Sequence, residues 1–118
     1  MVDSFVENKE LIAFIDGASK GNPGESSYAF VLGDEEGTII MEAAVRIGIA
    51  TNNEAEYRAL LAVLDQVLTW KEKKLRVFSD SQLLVKQINH LYQVKSSNLI
   101  PLYQEVQRKI QKLSHFEI

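Results

Sequence analysis

The chain has 118 residues, 46% of them hydrophobic and 25% charged, with a net charge of −3 and no cysteine; that length suits one domain burying about two-thirds of its unfolded surface, and the missing cysteines exclude disulfides and thiolate metal sites. The residues predict a soluble, cytoplasmic protein, because the cysteine usage fits a reducing compartment and no segment approaches the roughly 20 apolar residues of a membrane span. Met1 to Glu10 carries Asp3, Glu7 and Glu10 without an apolar run and reads as no signal peptide, while the acidic balance, pI about 5.4, gives no global attraction to a polyanion, so a nucleic-acid binder of this composition needs a local basic patch or metal ions.

Residues 11–15 form an apolar run that enters Asp16-Gly17 and predicts a buried strand. Gly21-Asn22-Pro23-Gly24 is a dense turn signal. A second strand is expected over residues 27–32, a turn over 33–37 and a third strand over 38–47; the short connections favour an antiparallel meander. Thr51-Asn52-Asn53-Glu54 has the form of a capping box, opening a helix that runs to about Trp70. Its apolar stripe is Tyr57, Leu60, Leu61, Leu64, Val67 and Leu68, and residues 71–74 make a basic, solvated ending. Residues 75–78 predict a short strand, parallel to its neighbour because it is reached by a helical crossover. A helix follows from Ser79-Asp80-Ser81-Gln82 to about Leu91, with Leu83, Leu84, Ile88 and Leu91 buried. Residues 94–98 break the pattern, a last helix covers 99–113, and 115–118 begin a strand. The expected architecture is a mixed α/β sheet in a single domain over residues 1–118.

Three acids stand out: Asp16, Glu56 and Asp80, each placed where a strand ends or a helix begins. Each has an ordinary explanation. Asp16 could be a strand-end turn residue, Glu56 a first-turn acid favoured by the helix dipole, and Asp80 an N-cap completed by Ser79 and Gln82. The topology suggests more, because it returns the strand bearing Asp80 beside the strand bearing Asp16, with the helix start bearing Glu56 over the same region. Three converging carboxylates repel one another unless cations neutralise them, and an all-oxygen donor set suits hard divalent ions.

Asp-Gly-Ala-x-x-Gly-Asn-Pro-Gly from Asp16, Thr-Asn-Asn-x-Ala-Glu-Tyr from Thr51 and Asp-Ser-Gln from Asp80, in this order, resemble type 1 ribonuclease H over nearly the whole chain. The resemblance implies a ribonuclease H-like fold with a five-stranded sheet in order 3-2-1-4-5. It implies an endoribonuclease that hydrolyses the RNA strand of RNA–DNA hybrids, leaving 3'-hydroxyl and 5'-phosphate ends. Asp16, Glu56 and Asp80 match the family's metal-binding and catalytic carboxylates, which work by two-metal-ion catalysis with Mg²⁺, or Mn²⁺ as substitute. Asn22, Asn52, Asn53 and Gln82 resemble amides that line the minor groove of the hybrid, where the 2'-hydroxyl both donates and accepts hydrogen bonds. Thr51 resembles a hydroxyl that holds a DNA-strand phosphate, with the helix cap as its other reading, and Asn22 has a turn role as its other reading.

Two departures from the family pattern qualify the expectation. Only residues 94–98 separate the last two helices, so the basic handle of some members is absent; Tyr92 and Lys95 resemble the corresponding segment of handle-less members, Tyr92 lining a DNA-strand channel and Lys95 meeting a phosphate, with a buried tyrosine and a solvated lysine as the alternatives. The family's fourth carboxylate, expected beyond the last strand, has no counterpart by residue 118, and His90, His115 and Glu117 are not promoted in its place. That predicts a weakened second metal site, low activity in this form and a route to dimerisation or a swapped C-terminal end in an otherwise monomeric protein. The competing function is a non-catalytic hybrid-binding module, which the three retained acids disfavour.

Overall fold

A computed structural model describes residues 9–72 and 74–118; the reading of the amino terminus as no signal peptide therefore falls almost wholly outside the described residues, as does Lys73 of the basic ending. Strands β1 (Glu10–Ser19), β2 (Gly24–Gly33) and β3 (Ile39–Ala50) are followed by helix α1 (Asn52–Thr69), strand β4 (Lys74–Phe78), helices α2 (Gln82–Ile88) and α3 (Ile100–Ile110), and strand β5 (His115–Glu117). The five strands form one sheet in the order β3-β2-β1-β4-β5, as the resemblance implied. β1, β2 and β3 pair antiparallel, whereas β1–β4 and β4–β5 pair parallel. Among the described residues no helix is long and apolar enough to cross a membrane.

The alternation of β1 explains its face. Leu11, Ala13 and Ile15 point into a core shared with Phe30 and Leu32 of β2, Leu75 and Val77 of β4, and Tyr57, Leu60, Val63, Leu64 and Val67 of α1. Each large side chain buried there contributes about 1.5–3 kcal/mol of transfer free energy. The helical stripe is shifted from expectation. Leu61 and Leu68 are only half-buried, whereas Ala59 and Val63 are fully enclosed, because the helix also packs on α3 and so buries a wider arc than one sheet contact needs. On the opposite face of the sheet, Phe14 and Phe78 stack with centroids 5.1 Å apart and stay exposed.

The strands outrun their apolar cores. β1 continues to Ser19 through Asp16, which pairs with Ala29 inside the ladder rather than sitting at a strand end. β3 reaches Ala50 with a register shift: Ser26 pairs with Gly48 but Ser27 with Arg46, and Gly48 has φ +78°. This is a β-bulge centred on Ile47 and Gly48, a device that bends a strand and re-aims its side chains. α2 stops at Ile88, so Leu91 is exposed rather than buried, and α3 is shorter than expected at both ends.

Candidate metal centre

Asp16 and Asp80 come together through register. Phe14 pairs with Phe78 at the end of the parallel β1–β4 ladder, and two residues beyond them, where the two chains leave that pairing side by side, stand Asp16 and Asp80. Glu56 arrives from the first turn of α1. The helix start is fixed by a full capping box: Thr51 Oγ1 accepts from Glu54 N at 3.1 Å, and Glu54 Oε1 accepts from Thr51 N at 2.9 Å. Glu54 is thereby committed to the cap, and Glu56 is left to face the two aspartates. One ligand oxygen from each of Asp16, Glu56 and Asp80 lies within 4.8 Å of the others.

Asp80 is not a helix cap. That role belongs to Ser81, whose side chain accepts from Leu84 N at 3.3 Å, while Ser79 Oγ accepts from Ser81 N at 3.1 Å. Ser81 thus serves one orphan amide of α2, Leu84 N, and Ser79 serves the amide of the cap residue itself, so the Asp80 carboxylate is left to the cluster.

Glu56 is buried, 6% exposed, whereas the aspartates are open to solvent. Its Oε1 accepts from Gly17 N at 3.0 Å, and its Oε2 is buried without a hydrogen-bond partner. Burial, first, and then the negative charges of Asp16 and Asp80 push the Glu56 carboxyl up to about 7, against the opposing pull of the Gly17 N–H and the Ser79 hydroxyl. An orphaned buried carboxylate oxygen beside two more carboxylates is a donor set that lacks its acceptor of electron pairs, and an oxygen-seeking divalent cation fits it. Two contributors escape a reading of the side chains alone. Gly17 supplies an amide to Glu56 and also clearance: a Cβ there would stand 2.6 Å from the backbone of Ala55 and Glu56. Ser79 contributes its hydroxyl. The glycine after Asp16 was visible in the sequence, but the helix start pressed against it was not.

The expected nucleic-acid contacts divide. Asn22 Oδ1 accepts from Asn52 N at 2.9 Å, and Asn52 Oδ1 accepts from Ser19 N at 2.7 Å, so both carbonyls lock the β1–β2 loop onto the start of α1 and both amide NH₂ groups remain as donors. Asn53 and Gln82 hold no partner among the described residues. Thr51 is the cap. Tyr92 is half-exposed rather than buried; its hydroxyl accepts from Lys86 Nζ at 3.3 Å, and the same ammonium lies 4.9 Å from its ring centroid. Lys95 is exposed. His90 contacts Tyr103 through Nδ1 at 3.2 Å, and His115 contacts Glu117 at 2.9 Å on β5, so none of the three joins the acid cluster.

A sheet ordered 3-2-1-4-5 with acids from β1, α1 and the end of β4 converging on one point defines a ribonuclease H-like domain. Residues 14–118 match the family described as reverse transcriptase-like, and the chain is 41% identical over 99 residues to the bifunctional protein Rv2228c of Mycobacterium tuberculosis, covering 83% of this chain and 27% of that one. It superposes on RNase H1 from Halobacterium salinarum with a TM-score of 0.88 and 32% identity, over 92% of this chain and 83% of that one. It also matches LC11-RNase H1 in complex with an RNA/DNA hybrid, with a TM-score of 0.82 and 29% identity over 92% and 84% of the two chains. The chain belongs to the reverse transcriptase-like family, within its type 1 ribonuclease H relatives. It spans about a quarter of the mycobacterial protein's length.

Proposed function

We propose that this chain hydrolyses the RNA strand of RNA–DNA hybrids with divalent cations held by Asp16, Glu56 and Asp80. The observation that carries the reading is the convergence of three carboxylate oxygens within 4.8 Å, one of them on a buried glutamate with an unpartnered oxygen, in a fold of the kind that holds an RNA/DNA hybrid in LC11-RNase H1. A pair of bound Mg²⁺ ions would supply Lewis-acid activation of water and neutralise charge on the leaving oxygen. The chain's own residues do the positioning. Gly17 N holds Glu56 in one rotamer through Oε1, leaving Oε2 for the cation. Asn22 and Asn52 offer their NH₂ groups, and Asn53 and Gln82 whole amides, to the minor groove, where a 2'-hydroxyl distinguishes RNA from DNA. Thr51 serves as cap with its hydroxyl proton free for a phosphate, and Tyr92 and Lys95 lie on the path of the second strand. A module that only binds gains nothing from three acids turned towards phosphates, so the catalytic reading is preferred.

The test is incubation of the chain with labelled RNA–DNA hybrid, duplex RNA and duplex DNA, with Mg²⁺, with Mn²⁺ and with chelator. Cation-dependent cutting confined to the RNA of the hybrid, lost in Asp16→Asn, is the expected result. Binding without cutting in either metal would sink the catalytic reading.

A further inference from the structure

The acid cluster repels the phosphates it is to cleave, and the chain carries a net charge of −3, so retention of a polyanion has to come from cations placed beside the cluster. Among the described residues four basic side chains are spent on acids: Lys9 pairs with Glu36, Arg76 with Glu10 and Glu117, Arg108 with Glu105, and Lys109 with Asp65 and Glu105. Lys20 and Arg46 have no acidic partner, and both line one open cleft of about 360 Å³ together with Ser27, Gly48 and Glu25.

The position of that cleft follows from the ladder. Ala18 lies two residues beyond Asp16 on the same face, Ala18 pairs with Ser27, and Ser27 pairs with Arg46. Two residues along a strand and two strands across place Arg46 about 12 Å from Asp16, backbone to backbone. The nucleic-acid backbone advances about 3.4 Å per nucleotide along its axis, so a long arginine side chain at that offset meets phosphates a few nucleotides from the acids. The bulge at Ile47 and Gly48 sets which residue faces Ser27. Gly48 needs its positive φ, but a Cβ there would meet nothing within 4 Å, so the glycine serves the backbone turn rather than crowding. Lys20 stands on the loop that Asn22 and Asn52 lock to α1, which gives the cleft and the amide group one rigid mount.

We propose that Lys20 and Arg46, with the Ser27 hydroxyl, form a phosphate-binding subsite for the backbone of the nucleic-acid strand that continues from the acid cluster towards the β3 edge. The proposal rests on the hybrid-cleaving reading above and adds a grip outside the acids and amides. Glu25 is the single acid of the cleft and opposes the grip, which makes it a second, oppositely signed probe of the same idea.

The experiment is fluorescence anisotropy of a labelled RNA–DNA hybrid, long enough to extend past the sheet on both sides, titrated with the full chain over a series of NaCl concentrations without divalent cation. K20Q/R46Q is compared with wild type, with E25Q, and with K71Q/K112Q, which removes two charges from the end of the sheet where β4 and β5 begin. Each lost phosphate contact should flatten the log–log salt dependence by about 1. K20Q/R46Q is expected to flatten it by about 2 and to weaken binding several-fold at low salt, with an unchanged melting temperature. E25Q is expected to tighten binding, and K71Q/K112Q to leave the slope as it is. Wild-type slope and affinity in K20Q/R46Q, or an equal loss in K71Q/K112Q, overturns the subsite while leaving the functional reading intact. A wild-type chain that binds no hybrid overturns both.

Discussion

Tyr57 donates its phenolic proton to Gln87 Oε1 at 2.7 Å inside the core, both residues almost fully enclosed. The bond joins α1 to α2, so it links the helix that carries Glu56 to the segment that follows Asp80. Tyr57→Phe leaves the Gln87 oxygen buried and unpaired, at a cost of about 1–3 kcal/mol. Tyr57→Phe with Gln87→Leu removes both partners and should recover most of that loss, which a double-mutant cycle by urea denaturation measures. Simple addition of the two single effects would refute the coupling.

Glu56 makes metal-free stability depend on pH. Its folded value, about 7, lies above the ordinary 4.5, so the folded state holds this proton more tightly than the unfolded chain does. The stabilisation is fully present below about pH 4.5 and is lost as pH rises through 7, a loss on the order of 3 kcal/mol. A divalent cation bound at Glu56, as proposed, would have to displace the same proton. Calorimetric titration with Mn²⁺ should therefore show tighter binding at pH 8 than at pH 6, with proton release at pH 6 that depends on the buffer's ionisation enthalpy.

Asp16→Asn removes one of the two charges that raise Glu56. The Glu56 carboxyl should titrate lower in this variant, and the metal-free protein should be at least as stable as wild type at pH 8, while Mn²⁺ affinity falls tenfold or more. NMR titration of the glutamate carboxyl checks the first effect and thermal melting the second. A less stable variant would contradict the repulsion argument.

Gly17→Ala pushes a methyl group to 2.6 Å from the α1 backbone. Either the helix start moves and Glu56 loses the Gly17 amide, or the strand does. A stability loss above about 2 kcal/mol is expected from overpacking of this kind, with hybrid cleavage abolished even below the melting temperature. Gly37→Ala is a comparison at a site with positive φ and open space, so its cost should be confined to backbone strain and its cleavage rate should be that of wild type.

Both α1 and α2 end on left-handed residues that are not glycine. Lys71, φ +62°, follows α1, and Glu72 N donates to Val67 O while Lys71 N donates to Leu68 O, the bonds of a Schellman motif. Left-handed backbone costs a side chain roughly 1–2 kcal/mol. Lys71→Gly should therefore stabilise the chain by about 1 kcal/mol in chemical denaturation.

The same feature marks a limit of the sequence. α2 closes through His90 at φ +63°, with Leu91 N donating to Lys86 O; a histidine where glycine usually signals a stop hid the end of the helix, and Leu91 read as one more buried position. The capping box at Thr51 was legible because its signature is local, and the place of β4 beside β1 because crossover rules constrain it; the full order of the sheet came from the family resemblance. The polar tail of β1 was not, since Gly17, Ala18 and Ser19 have little strand preference of their own and are held extended by the β2 ladder. The three acids were legible as a group. The exchange at the start of α2, where Ser81 caps and Asp80 does not, depends on a one-residue shift that no periodicity reports.

Asp16 lies inside a strand that pairs with β2 over Ile12–Ser19 and with β4 over Glu10–Phe14. A slip of β1 by one residue against either neighbour would turn Asp16 towards the helices and bring an aliphatic or a glycine to the metal-facing position. With the cation held by Asp16, Glu56 and Asp80 as proposed, its affinity would work as a parity check on strand pairing: molecules that have threaded the sheet out of step by one could not assemble the centre, and a population that titrates fully would have escaped that slip.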